Sequence, residues 1–164
     1  MTNLEKTVLV YRGTRDGFTH QAMYEKCDSK SNLVSIIKNN LDYVFGVYTS
    51  VVWNKNDEWT LDPKSFLLSV RRNGITKNDK CLIQDDNMAF YGDPNGNNNS
   101  IFCYGDIIIC NESDKEYGSN ITLGQSFQLP DVISDGSAYA KELFLVGSNN
   151  GEWLTTEIEV YQIN

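Results

Sequence analysis

The chain is short of several things, and each shortage removes a class of function. It has 3 prolines in 164 residues, too few for a long disordered linker, whose composition is proline-enriched. It has one histidine, His20, and histidine is the usual general base near neutral pH. Basic residues are outnumbered, with 14 Lys and Arg against 22 Asp and Glu, for a net charge of −8. Binding a phosphate backbone takes clustered cations, so nucleic acid is not an expected partner. The one adjacent basic pair of note, Arg71-Arg72 with Lys77 and Lys80 behind it, reads as a solvated strand end. No apolar run approaches the ~20 residues that span a bilayer, so no membrane insertion is expected. The first residues, Met-Thr-Asn-Leu-Glu-Lys, lack a hydrophobic signal region. A cytoplasmic location with reduced thiols is the expectation.

Catalytic and metal-binding patterns are missing too. The 4 cysteines, Cys27, Cys81, Cys103 and Cys110, form no Cys-x-x-Cys pair, whereas zinc sites use short paired spacings. The expectation is four reduced thiols, no metal and no cofactor. The polar segment 92–100 contains Asp93, Asn95, Gly96 and Asn97. An EF-hand loop starting at Asp93 would need Gly sixth and Glu twelfth; here Gly is fourth and Tyr104 is twelfth, which rejects calcium. No Gly-x-Ser-x-Gly elbow, Walker loop, Rossmann fingerprint or His-Glu-x-x-His motif occurs. Cys27 falls at the expected end of a helix, where the negative dipole end disfavours a thiolate. Glu157 and Glu159 are two apart on an expected strand, roughly 6.5–7 Å between Cα atoms. An acid–base pair needs two carboxyls at short range, but alternating acids on a solvent-facing strand are commoner. No catalytic residue is assigned.

What is present is the punctuation of a β protein. Thr7–Arg12 is strand-like, and Thr19 is placed to cap a short helix that ends at Cys27. Short β-type runs follow at 33–38, 43–50, 65–72, 80–84 and 88–91, separated by Asn- and Gly-rich turns. Strands with polar turns every ~8–12 residues predict an antiparallel sandwich or barrel. Residues 100–103 and 106–110 read as a hairpin, 111–123 as loop, 126–129 as a short strand and 136–142 as one helical turn. The last strand is expected over 152–162, with Trp153, Thr155, Glu157, Glu159 and Tyr161 on one face and Ile158 and Val160 turned to the core. One domain covers 1–164. The predicted core contains Phe45, Trp53, Phe66, Leu68, Ile108, Phe127, Ile158 and Val160.

The most informative run is Tyr11-Arg12-Gly13-Thr14-Arg15-Asp16-Gly17-Phe18, with Tyr24-Glu25-Lys26-Cys27-Asp28 just behind it. Two glycines bracket a charged segment between a strand and a helix. Asp16 is expected to accept backbone N–H bonds in that turn while an arginine forks onto a carboxylate. Further motifs follow in order: Val44-Phe45-Gly46-Val47-Tyr48-Thr49-Ser50 with Trp53, Asp62-Pro63-Lys64-Ser65-Phe66-Leu67-Leu68-Ser69, and Glu157-Ile158-Glu159-Val160-Tyr161-Gln162. The ordered set resembles the TLDc domain family, in which "YRGSRDGF" leads into a helix ending "EKCD", and the resemblance covers nearly the whole chain. It implies a mainly β fold with a few short helices, an antiparallel β-sandwich of the TLDc type. It also implies a non-catalytic protein-interaction role, since TLDc proteins bind the vacuolar-type proton ATPase and are linked to oxidative-stress resistance. Two alternatives stay open: a structural subunit of a larger cytoskeletal or ciliary assembly, and a thiol-dependent antioxidant enzyme. Family members often carry other modules ahead of the domain, so either an excised domain or a stand-alone subunit fits this chain. Its Asn-rich composition is of the kind that AT-rich protist genomes encode. The candidate protein-docking residues are Arg15 and Asp16 in the first turn and Glu157 and Glu159 on the last strand.

Overall fold

Short runs rich in β-branched and aromatic side chains recur along the chain, and a pleated strand sends alternate side chains to opposite faces. The computed structural model describes residues 6–53, 57–92, 99–128, 145–148 and 152–164. Strand β1 (Thr7–Arg12) runs into a single helical turn, α1 (Gly13–Asp16), and then into α2 (His20–Cys27). The helix begins as the sequence predicts, with the Thr19 hydroxyl accepting the Ala22 N–H at 3.2 Å. Next come β2 (Leu33–Asn39), β3 (Val44–Thr49), β4 (Trp59–Thr60), β5 (Phe66–Arg72) and β6 (Ile75–Leu82). A 3-10 turn at Asp86–Met88 leads to β7 (Phe90–Tyr91), β8 (Ser100–Tyr104), β9 (Ile107–Cys110), β10 (Asn120–Ile121) and β11 (Thr155–Ile163).

These strands form two antiparallel sheets. One has six strands in the order β1-β11-β2-β3-β5-β6, and the other has five in the order β10-β9-β8-β7-β4. The first and last strands therefore pair at one side of the larger sheet. The result is the antiparallel β-sandwich with few short helices that the sequence predicts. Phe45, Val47, Leu67, Ile158 and Val160 of the larger sheet pack with Phe90, Phe102, Tyr104, Ile107 and Ile109 of the smaller one. Trp53 lies among them, its ring stacked on Phe90 at 4.9 Å. A polar contact crosses the core, with Ser35 Oγ and Tyr104 Oη 3.0 Å apart. No helix among the described residues is long and apolar enough to cross a membrane.

Three predicted core residues are misplaced. Phe66, Leu68 and Ile108 are only half-buried, and their neighbours Leu67, Ile107 and Ile109 fill the core instead. The reason is parity. Ser65, just ahead of β5, and Leu67 and Ser69 within it all turn inward, and two small hydroxyl residues beside one leucine hide that face from a hydrophobicity reading. Phe66 stands on the outer face, stacked on Tyr48 at 5.0 Å, with Lys80 Nζ 3.8 Å from its ring centre. Phe66→Ala should therefore cost about 1–2 kcal/mol, the loss of a half-buried ring, rather than the ~3–5 kcal/mol of a core aromatic. Urea unfolding measures the difference.

Other boundaries move as well. The pairing of β11 with β2 is irregular between Thr155 and Glu157. That bulge switches parity, so Trp153 and Thr155 are buried along with Ile158 and Val160 instead of sharing the Glu157 face. Strand β6 starts at Ile75, ahead of the predicted Lys80. Of the strand expected at 126–129, the described residues 126–128 form an isolated bridge between Phe127 and Ile83, and the expected loop 111–123 contains β10. The helical turn expected at 136–142 and most of the polar turn at 92–100 lie outside the described residues.

Candidate functional site

The glycine-bracketed segment is a closed helical turn rather than an open loop, and its residue types explain why. Gly17 has a φ of 103°, which glycine alone adopts without strain. A Cβ on Gly13 would lie 2.6 Å from the Phe18 ring, so any side chain there would displace that ring. Asp16 closes the turn. It accepts the Arg12 N–H at 3.0 Å, and Arg15 forks onto it through Nε at 2.9 Å and Nη2 at 2.6 Å. Tyr11 Oη donates to the Gly17 carbonyl at 2.5 Å. Burial pushes that phenol above its usual range.

The turn is then pinned to the last strand. Arg12 Nε donates to Glu159 Oε1 at 2.8 Å, Arg12 Nη2 donates to the same oxygen, and Tyr161 Oη donates to Oε2 at 2.6 Å. Glu157 takes the Thr14 N–H at 3.1 Å, the Thr14 hydroxyl at 2.5 Å and the Ile158 N–H at 3.0 Å. The sequence expects one arginine to fork onto a carboxylate. The structure has two such forks, Arg15 onto Asp16 and Arg12 onto Glu159. All four candidate docking residues, Arg15, Asp16, Glu157 and Glu159, come together on the turn and the strand it touches. Arg12, read from the sequence with Arg15 and Asp16 as part of the charged turn, and Thr14, which sequence reasoning did not single out, join them as pinning residues. Their signal was present in the Tyr-Arg-Gly-Thr run, but nothing local names acceptors at positions 157 and 159. Beside the turn is an open hollow of about 460 Å³, bordered by Thr14, Arg15, Asp16, Glu112, Asp114 and Lys115. The loop on its far side is tied in by the Glu112 N–H, which donates to the Phe18 carbonyl at 2.7 Å.

Electrostatics follow from these contacts. The hydrogen bond from Arg15 is the largest of the effects that lower the Asp16 carboxyl, to about 2. Glu159 is also lowered, first by the Tyr161 hydroxyl and then by Arg12. A carboxyl held below its unfolded value near 3.9 stabilises the fold above that pH and loses its contribution as pH falls toward the folded value. Asp16 should therefore support the fold fully above about pH 4 and release it between about pH 4 and pH 2. A carbon-detected NMR titration checks this, and an Asp16 midpoint near 4 would contradict it.

Two buried carboxyls outside this site organise loops. Asp62 accepts from Thr49 Oγ1, the Ser50 N–H, Ser50 Oγ and the Lys64 N–H at 2.7–3.1 Å. It thereby joins the Val-Tyr-Thr-Ser and Asp-Pro-Lys-Ser motifs. Asp106 accepts the N–H groups of Gly124, Ser126 and Phe127, and its burial pushes its pKa up. All four cysteines are buried thiols. Burial pushes Cys27 up to about 12 and Cys81 up to about 11. No cluster of three or more His, Cys, Asp or Glu side chains among the described residues is arranged to hold a metal ion.

Two packed antiparallel sheets, with a glycine-bracketed turn pinned by arginine and glutamate to the final strand, define the class of domain. The chain belongs to the TLDc domain family, whose model matches residues 2–164. A comparison with curated proteins finds no match.

Proposed function

We propose that this TLDc domain is a non-catalytic protein-interaction module that docks through its first turn and last strand. The carrying observation is the pinning of Arg12 and Thr14 onto Glu159 and Glu157, which holds charged, partly exposed groups on a rigid sheet. Binding groups held in place by a scaffold lose little freedom on association. The excess of acids attracts a partner with a basic face and speeds encounter. The partner class that the family resemblance brings forward is the vacuolar-type proton ATPase. Against thiol chemistry stand burial and the raised pKa values of Cys27 and Cys81, since the reactive form is the thiolate.

Biolayer interferometry of the purified domain against solubilised vacuolar-type ATPase tests both halves of the proposal. Wild type should bind. Glu157→Lys with Glu159→Lys should weaken binding about tenfold or more, with circular dichroism confirming that the fold is kept. Absence of wild-type binding overturns the partner. Unchanged affinity in the folded variant overturns the docking face.

A further inference from the structure

We propose that the open hollow beside the first turn anchors an arginine side chain of the protein partner, a deepening of the docking reading above that rests on it.

The hollow has two walls. Residues 13–19 form one, and Glu112, Asp114 and Lys115 form the other. Both are set by the backbone. The Gly17 N–H donates to the Gly13 carbonyl at 2.8 Å, and the Lys115 and Glu116 N–H groups both donate to the Glu112 carbonyl, at 2.8 and 3.0 Å. The walls are also tied to each other. The Glu112 N–H meets the Phe18 carbonyl at 2.7 Å, and the His20 N–H donates to Asn111 Oδ1 at 3.0 Å. The space between them, about 460 Å³, falls within the ~300–1,000 Å³ of pockets that hold small ligands. A side chain that fills such a pocket at an interface is the usual form of a binding hot spot, and arginine is among the residues enriched there.

The charges around the hollow select its occupant. Arg15 is neutralised by Asp16, which it meets through two nitrogens, and Lys115 Nζ lies 3.4 Å from Glu112 Oε1. Lys26 of α2 also acts on Asp16, a carboxylate already satisfied. Two acids are left without a cation. Asp114 is half-buried, and its carboxyl has no hydrogen bond or ion pair among the described residues. Glu157 is bonded through Thr14 and takes only uncharged donors, the Thr14 N–H and hydroxyl and the Ile158 N–H. Burial first, and then the charges of Asp16, Glu157 and Asp114 among others, push the Tyr11 phenol up, which places these carboxylates around one hydroxyl. A cation entering the hollow therefore meets an excess of negative charge. A guanidinium suits it better than an ammonium. Its planar fork pairs with a carboxylate through two N–H groups, and it is the more weakly hydrated of the two. Thr14 and Thr19 on the facing wall carry acceptor oxygens for its other N–H groups.

The probe is the peptide acetyl-Gly-Gly-Arg-Gly-Gly-amide, titrated to roughly 10 mM into the isotope-labelled full chain and followed by amide NMR. Shift changes should concentrate on residues 13–19 and 112–115. A citrulline twin keeps the shape but loses the charge, and should bind about tenfold more weakly. A lysine twin keeps the charge but loses the fork, and should lose about threefold. Asp114→Asn removes a carboxyl that no contact of the fold uses. It should weaken the arginine peptide about tenfold and leave urea unfolding unchanged. No binding, shifts located elsewhere, equal affinity for either twin, or no effect of Asp114→Asn would each overturn the proposal. The same variant in interferometry against the solubilised ATPase separates the anchor from the docking reading beneath it. Wild-type binding that Asp114→Asn weakens about tenfold supports the anchor. Wild-type binding that it leaves unchanged overturns the anchor and keeps the docking face. Absence of wild-type binding overturns the ATPase as partner, and the peptide titration still decides the pocket.

Discussion

Trp53→Ala should lower stability by about 3–5 kcal/mol in urea unfolding, the range for truncating a buried aromatic. Trp53 is 0% exposed. Its ring stacks on Phe90 at 4.9 Å and meets Phe102 at 5.8 Å, Tyr24 at 6.0 Å and Tyr104 at 6.3 Å. It thus touches α2 through Tyr24 and the smaller sheet through the other three rings. Its own backbone is bound as well. The Trp53 N–H donates to the Lys30 carbonyl at 2.8 Å, and its carbonyl accepts the Ser29 N–H at 2.9 Å. Removing the indole leaves a cavity whose walls are rigid aromatic plates held by different elements, and such walls collapse poorly. Trp53→Phe keeps part of the volume and should cost less. A loss under about 1 kcal/mol for the alanine variant would mean that the core repacks around the gap.

The second large effect is polar. Asp62→Ala should cost about 3–5 kcal/mol, because it strips the acceptor from one buried and three partly buried donors at once. Asp62 is 0% exposed, and its two oxygens serve Thr49, Ser50 and Lys64 at 2.7–3.1 Å. Those donors come from the end of β3 and from the turn that leads into β5, so their shared acceptor holds the two in place. Ser65 adds to the junction through its hydroxyl, which donates to the Tyr48 carbonyl at 2.8 Å. Asp62→Asn keeps one oxygen but turns an NH₂ group toward donors, and should fall between wild type and alanine. Equal stability of the alanine variant and wild type in urea would show that water replaces the carboxyl without loss.

Much of this architecture was legible in the chain. β1 has its predicted limits because a run of β-branched and apolar residues with Tyr11 ends at a glycine. α2 begins at the residue that its Thr19 cap dictates, since a cap is a contact over three positions. Errors came where the two faces of a strand are both mixed. At β5, serines face inward and Phe66 and Leu68 face outward, so composition pointed to the wrong side. On β11, one bulge reversed the parity of Trp153 and Thr155, and period-two reasoning cannot see a bulge.

The candidate site divides along the same line. The sequence by itself determined the helical cap, the glycine-bracketed turn with Asp16 as its acceptor, the sandwich class and the family. All of these depend on neighbours within a few positions, or on the order of motifs. Only the tertiary structure decided that Arg12 and Thr14 would meet Glu159 and Glu157. Those contacts join residues 147 and 143 positions apart. They exist because β1 and β11 pair beside each other in the larger sheet. The physical reason is range. Propensities and caps act through the local backbone, whereas a hydrogen bond between chain ends forms only after the core has brought the two strands together.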